Sequence, residues 1–467
     1  MTATDAPVTG ITRALAEFAL ELDPGSAPEA VRHETRRILL DCLGSAVAGL
    51  VTPAGRIARG LAQGEHGRLE AQIVGGGRAS LLPAVFANTV LTNALDYEPV
   101  GPEGHVCAVA VPVALAVADA VDATGAELFA GLLAGLEIGG RVGGAIRRPD
   151  QSGPKETPKV RGTAHAAFAA AAAAGRLLKL TPAQMTNAFG IAAFGATLPT
   201  LKKVMSSVHA PMTKYDHLGA MARNGVEAAL LAQRGFTGDQ NVLEGELGFW
   251  RFAGALGCDW DFLTRDFGKF WTVPQTWYKR YPVILYTTPG LDLVRTIVHD
   301  NGIALDQVEH VEIRTMRTNT VQSGKEILDA MDAWTSYSYN VAAGLHDVRP
   351  RRSWQEPITY RDPKLLSLAA KIDISPLRKE DLRSVGNYWD GWCPASATVW
   401  AGGRTFEGWT ESLPRIADEE LTAKYIDNAS GLLSDADVLA LEAACWNLDQ
   451  VDRARRIAGY LTEQPGS

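Results

Sequence analysis

Five polar side chains stand in apolar or small-residue surroundings and could do chemistry together. Asp96 closes the segment NTVLTNALDYE. His105 follows the Gly/Pro-rich loop VGPEG and directly precedes an apolar run. Lys214 lies in APMTKYDHLG, Lys279 lies inside an aromatic cluster, and Tyr339 lies in WTSYSYNVAAG. Glu98 accompanies Asp96, His217 accompanies Lys214, and Arg280 follows Lys279. A carboxylate, an imidazole, two ammonium groups and a phenol make a suitable kit for proton transfer beside a carboxylate-bearing substrate. Each also has an ordinary use in capping, ion pairing or packing, so the chemistry depends on the fold bringing them together.

Other chemistries lack their signatures. Gly75-Gly76-Gly77 is not followed by GK[ST], and no H-E-x-x-H, G-x-S-x-G or C-x-x-C occurs. Five scattered cysteines (Cys42, Cys107, Cys258, Cys393 and Cys445) imply neither a zinc site nor a disulfide framework. No metal or organic cofactor is therefore expected. The formal charge is −8 and there is no long Lys/Arg run, which argues against nucleic acid or an anionic membrane as partner. A small anionic substrate remains compatible, because a pocket can be locally basic. The segment from Arg147 to Arg161 leans basic and could draw an anion inward. The N-terminal residues lack the basic and apolar regions of a signal peptide. The longest apolar run, Val106 to Ala118, is too short to span a bilayer. A cytoplasmic protein is expected.

The elements that must position these groups can be read from periodicity. With 467 residues the chain suggests one large domain and a smaller one. Helices are expected over 27–50, 80–95, 108–121, 125–146, 163–178, 181–196 and 218–234, with Ser80 as a cap. Thr181-Pro182-Ala183-Gln184 has the form of a capping box with Pro at the first helical position. Gly135, Gly139 and Gly143 fall four apart, a spacing that lets helix backbones approach closely. After about residue 265 the pattern changes. VEHVEIRTM alternates as a half-buried strand does, and residues 397–400 and 405–409 flank a Gly-Gly turn. The expected architecture is mainly α: a large all-helical domain (1–264), a smaller α+β lid (265–412), and C-terminal helices (413–467) returning to the first domain.

The strings IVGGGRASLLPAVFANTVLTNALDYE, HVCAVAVPVALAVADAVDATGAELFAGLLAGLEIGGRVGGAI and TKYDHLGAMARNGVEAALLAQRGFTGDQNVLEGELGFW resemble the MmgE/PrpD family. The resemblance spans nearly the whole chain and continues weakly in KRYP and SYSYNVAAGL. It implies a helical domain with an α+β lid, a homodimer, and an active site between the domains. It also implies metal-independent dehydratase, decarboxylase or epimerase chemistry on small di- or tricarboxylates. By that resemblance Asp96, His105, Lys214, Lys279 and Tyr339 are catalytic, and Glu98, Thr163, His165, His217, Arg280 and Thr287 bind substrate. Lys214 and Lys279 would stabilise an enediolate-like anion, with His105 as base or acid, Asp96 setting its tautomer, and Tyr339 serving the opposite face. Two family histidines are missing. Val160 stands near the place of one, with Thr163 and His165 displaced from it, and Ile284, Thr287 and Thr288 follow Pro282 where the other would be. A cofactor-independent lyase ranks first. An epimerase or isomerase using the same proton abstraction, and an inactive member serving as a binding or scaffold protein, are the alternatives.

Overall fold

Small residues at four-residue spacing let helix backbones pack closely. The computed structural model describes residues 10–464 except 102, 148–162, 197–206, 208, 317–325, 385 and 387–389. Val160 and most of the basic-leaning segment after Arg147 lie outside the described residues. The first part carries helices α1 (Ile11–Glu21), α2 (Glu29–Gly49), α3 (Pro53–Gly64), α4 (Leu81–Asn93), α5 (Val106–Ala120), α6 (Gly125–Arg147), α7 (Ala166–Leu177), α8 (Pro182–Gly195) and α9 (Thr213–Gln233). A short ribbon of β1 (Ala71–Gln72) and β2 (Arg78–Ala79) interrupts them. A Cβ on Gly135 would meet Ala173 Cβ at 2.9 Å, and one on Gly139 would meet Ala169 Cβ at 2.7 Å and Val106 Cγ1 at 2.6 Å. The glycine row of α6 is thus the seam against α7 and α5, where a methyl group would force the backbones apart.

The apolar run Val106–Ala118 lies in one of the shorter apolar helices, and Gly125–Ile146 is the helix long and apolar enough to cross a membrane; nearly all of that longer helix is buried inside the protein as a core element. Ser80 takes the N-cap position of α4 without a side-chain cap bond; Glu70 Oε2 accepts from Leu81 N instead, at 3.1 Å. At α8 the capping box forms as expected, with Gln184 Oε1 accepting from Thr181 N at 2.9 Å.

The second part is built on a four-stranded mixed sheet of β3 (Val308–Thr315), β4 (Ile372–Pro376), β5 (Trp392–Ala401) and β6 (Arg404–Ser412), in the order β4-β3-β5-β6. Only the β3–β4 pair is parallel. The β5–β6 turn uses Gly402 and Gly403 at φ 56° and 69°, a left-handed pair that L side chains resist. Helix α10 (Thr288–Asp300) lies on this sheet, close enough that a Cβ on Gly408 would meet Leu293 Cδ1 at 2.8 Å. Helices α11 (Ala330–Thr335) and α12 (Tyr337–Leu345) follow β3.

Three ties hold the parts together. Arg141 of α6 is fully buried, bonded to Glu137 at 2.7 Å and to the carbonyls of Leu263, Arg265 and Phe270, and flanked by the rings of Phe18, Phe267 and Phe270. The segment 263–272 therefore packs against the first helices. Val100 and Trp277 exchange backbone hydrogen bonds of 2.8 and 2.9 Å. The C-terminal helices α13 (Asp418–Ala429) and α14 (Asp435–Trp446) return to α2, where Arg37 pairs with Asp418 and Lys424 Nζ lies 2.7 Å from Asp41 Oδ1.

Candidate active site

The loop after α4 gathers charge from four elements. Helix α4 ends at Asn93, earlier than the periodicity suggests, and Asp96 then adopts φ 51°. A non-glycine residue in this region is uncommon, and its carboxylate is what the turn presents. Lys214 Nζ approaches Asp96 Oδ1 at 2.6 Å, Lys279 Nζ approaches Oδ2 at 2.9 Å, and Trp334 Nε1 donates to Oδ2 at 3.0 Å. Lys279 also donates to the Asp96 backbone carbonyl, and Lys214 donates to Asn93 Oδ1 at 3.2 Å. Asp96, Glu98, Lys214 and Lys279 are all buried.

Each partner arrives by a local device. Helix α9 begins at Thr213, five residues before the expected start, so Lys214 sits in its first turn. A cation there opposes the helix dipole, a cost the Asp96 carboxylate offsets. The Val100–Trp277 backbone pairing fixes the strand-like entry to Lys279. His105 occupies the N-cap position of α5. Trp334, on α11, closes the far side, with Lys214 Nζ 5.0 Å from the centre of its ring.

His105 is held by Glu98 rather than by Asp96. Its Nδ1 lies 2.6 Å from Glu98 Oε1, which also accepts from Asn93 Nδ2. Its Nε2 stands 3.6 Å from Asp96 Oδ1, beyond hydrogen-bond distance. Burial pushes the Glu98 carboxyl up, but Lys279 and the His105 hydrogen bond outweigh it and hold the group below its ordinary value. Burial likewise raises Asp96, and Lys214 and Lys279 overturn that and hold it well below the carboxylate range. Both acids are therefore anions. Burial, aided by Lys214, lowers His105 against the pull of Glu98 and Asp96. A neutral His105 facing an ionised Glu98 carries its proton on Nδ1 and leaves Nε2 as a base, a tautomer assigned from this contact. Burial also lowers Lys214, while Asp96 and Glu98 favour its ammonium form.

His217 lies one turn beyond Lys214 on α9 and is buried. Its Nδ1 donates to the Thr213 carbonyl at 3.3 Å, and burial with the Lys214 charge pushes its titration down to about 4. Its Nε2, and Oε2 of Glu98, have no hydrogen-bond partner among the described residues. His165 sits at the N-cap of α7, where a Cβ on Gly143 would meet its Cδ2 at 2.5 Å and Glu103 Cβ at 2.6 Å. Thr163 is buried close by in sequence.

Three expected site residues are engaged elsewhere. Tyr339 donates its hydroxyl to the Trp354 carbonyl at 2.6 Å and makes no hydrogen bond to the Asp96 cluster among the described residues. Arg280 pairs with Asp292 at 2.8 Å and Glu420 at 2.6 Å, tying α10 to α13. Thr287 donates to the Ile284 carbonyl at 2.7 Å at the entry to α10. Sequence reasoning missed Asn93 and Trp334. Both lie inside segments already singled out, but an amide and an indole carry no sequence signal until a charged partner is placed beside them.

Asp96, Glu98 and His105 bring potential ligand atoms within 4.8 Å of one another, a donor set that a divalent cation could use. Here both oxygens of Asp96 already face ammonium groups, and Glu98 Oε1 faces His105 Nδ1. A dication would have to displace Lys214 and Lys279, so this donor set does not fit a resident metal. Two surface cavities of about 400 and 700 Å³ near Glu127 and Lys179 include none of the cluster residues.

A mainly helical chain with two unequal parts, joined at a buried Asp–Lys–Lys–His cluster, defines a class. The chain belongs to the MmgE/PrpD family: residues 13–256 match its N-terminal domain and residues 281–448 its C-terminal domain. Cis-aconitate decarboxylase of Homo sapiens is 26% identical over 469 aligned residues, covering 95% of this chain and 92% of that protein. Family and relative both point to an enzyme of the lyase type.

Proposed function

We propose that the protein is a cofactor-independent lyase that moves a proton at a carbon α to a carboxylate of a small di- or tricarboxylate. The observation that carries this reading is His105 Nε2, left basic by Glu98 and set beside the two ammonium groups on Asp96. Protons α to a carboxylate are weakly acidic, so the site must stabilise an enediolate-like anion as the base acts. Lys214 and Lys279 each spend two contacts inside the cluster and keep one N–H for substrate. The N-termini of α5 and α9, where His105 and Lys214 sit, add positive potential. The unfilled acceptors Glu98 Oε2 and His217 Nε2 suit a substrate hydroxyl or a departing water.

The lyase reading is favoured over epimerisation because an epimerase needs a second acid on the opposite face. Tyr339, the expected donor, spends its hydroxyl on Trp354. Convergence of Asp96, His105, Lys214 and Lys279 on one buried cluster speaks against a scaffold role, which gives no reason to assemble such groups. The 265 and 412 boundaries and the α+β lid remain part of this reading, as do a homodimer and a cytoplasmic location, which rest on the family resemblance.

The test is incubation in D₂O with cis-aconitate, citrate and malate, following elimination, CO₂ loss and solvent deuterium incorporation by NMR. At least one substrate should react, and Lys214→Met, checked for folding, should lower the rate by about 10³-fold. Absence of any reaction across the panel, or a Lys214→Met protein as active as wild type, overturns the proposal.

A further inference from the structure

The residue between the two acids, Tyr97, is held from three directions. Its hydroxyl proton is shared between the Arg280 carbonyl at 3.0 Å and the Pro350 carbonyl at 3.1 Å. Its own carbonyl accepts from Lys424 Nζ at 2.7 Å, and that ammonium also stands 3.9 Å from the centre of the Tyr97 ring. Lys424 reaches in from α13, and its second contact is Asp41 of α2, 2.7 Å away. Asp41, Tyr97 and Lys424 are all buried. Among the described residues no side-chain hydrogen bond or ion pair joins the three to the Asp96 carboxylate, the Glu98 carboxylate or His105, although the charges of Asp41 and Lys424 act on Glu98.

We propose that Lys424, anchored by Asp41, is a positioning residue for the catalytic turn Asp96-Tyr97-Glu98. The turn needs such a device. Asp96 is in the left-handed region, a conformation that persists only when its surroundings over-determine it. A change in the path of Tyr97 would swing both neighbouring carboxylates, one away from Lys214 and Lys279 and the other away from His105 Nδ1. A buried ion pair is weak evidence for stability in itself, since burial costs most of what the attraction returns. Its placement under the one residue shared by both acids gives it a different use. The C-terminal helix thereby enters the chemistry without contributing a group to the cluster.

This inference rests on the proposed function, and its test separates the two. The double variant Asp41→Asn/Lys424→Met removes the pair without a net change of charge. Direct electrostatic effects on His105 therefore largely cancel, and what remains reports geometry. His105 is faced by Asp96 and Glu98 from the loop, and by Lys214 and His217 from α9. With the turn loosened, Glu98 no longer holds Nδ1, and His105 titrates at lower pH by roughly half a unit or more. The titration is followed by NMR on ¹³C-histidine protein, assigned with a His105→Gln control. On any substrate of the wild type, kcat should fall roughly 10- to 100-fold while KM changes less than about threefold. Tyr97→Phe, which leaves every charge in place, should act in the same direction. If wild type turns over no carboxylate, the proposed function fails while the titration still reports on the turn. Folded double and Tyr97→Phe variants whose His105 titrates as in wild type overturn the inference.

Discussion

At the residue scale, the cluster divides labour between its two acids. Asp96 holds cations and Glu98 sets the histidine tautomer, the role that the family resemblance implied for Asp96. His105→Gln should cost roughly 10²–10⁴ in kcat, the usual worth of a positioned base. Because burial and Lys214 lower His105 from 6.5, kcat/KM should rise with pH along a limb lying below that value. Protonation of Nε2 removes the base, so activity is lost on the acid side. Glu98→Gln deletes a charge that favours imidazolium, so the limb should move to still lower pH as the rate drops. A pH–rate profile of both proteins checks the pair, and a limb that moves upward in Glu98→Gln would contradict the assigned geometry.

At the element scale, helix ends do most of the positioning. Asp96 follows the end of α4, His105 stands at the N-cap position of α5 and Lys214 lies in the first turn of α9. Their placement depends on the α6–α7 seam and on the Arg141 latch that binds segment 263–272 to the helices. Arg141→Met would leave Glu137 buried and without its partner guanidinium, at a cost of roughly 3–5 kcal/mol. Urea denaturation should show the midpoint falling accordingly, with a smaller loss in Glu137→Gln/Arg141→Met. Equal stability of Arg141→Met and wild type would rule the latch out. The sequence showed the helices well because their apolar and glycine periodicities are local. It misplaced the start of α9 because Thr213, Lys214, Asp216 and His217 are polar, and tertiary packing around the buried Tyr215 makes that turn helical.

At the scale of the whole molecule, buried neutral histidines link stability to pH. Burial, aided by the Lys214 charge, pushes His217 down to about 4 in the folded chain, against 6.5 in the unfolded chain. On lowering the pH the unfolded chain takes up its proton first, which favours unfolding. The contribution is fully present above about 6.5 and is lost as the pH falls towards 4, amounting to roughly 3 kcal/mol at full effect. His105, lowered in the same direction, adds to it. Denaturation midpoints at pH 7.5, 5.5 and 4.5 should decline, and His217→Asn should flatten part of the decline. A decline identical in both proteins would assign it to other groups.

The sequence by itself determined the family, the helical character of the first part, the hairpin turn at Gly402-Gly403 and the candidate polar groups Asp96, His105, Lys214 and Lys279. These follow from local periodicity, glycine conformational freedom and motif strings. The tertiary structure decided which groups touch. It placed Lys279 beside Asp96, 183 positions away in the chain, and gave Glu98 the histidine. It also turned Tyr339, Arg280 and Thr287 to neighbouring carbonyls and carboxylates. No string marks Asn93, Trp334 or the Lys424–Asp41 pair, because an ordinary side chain gains its role only from the buried charge packed against it.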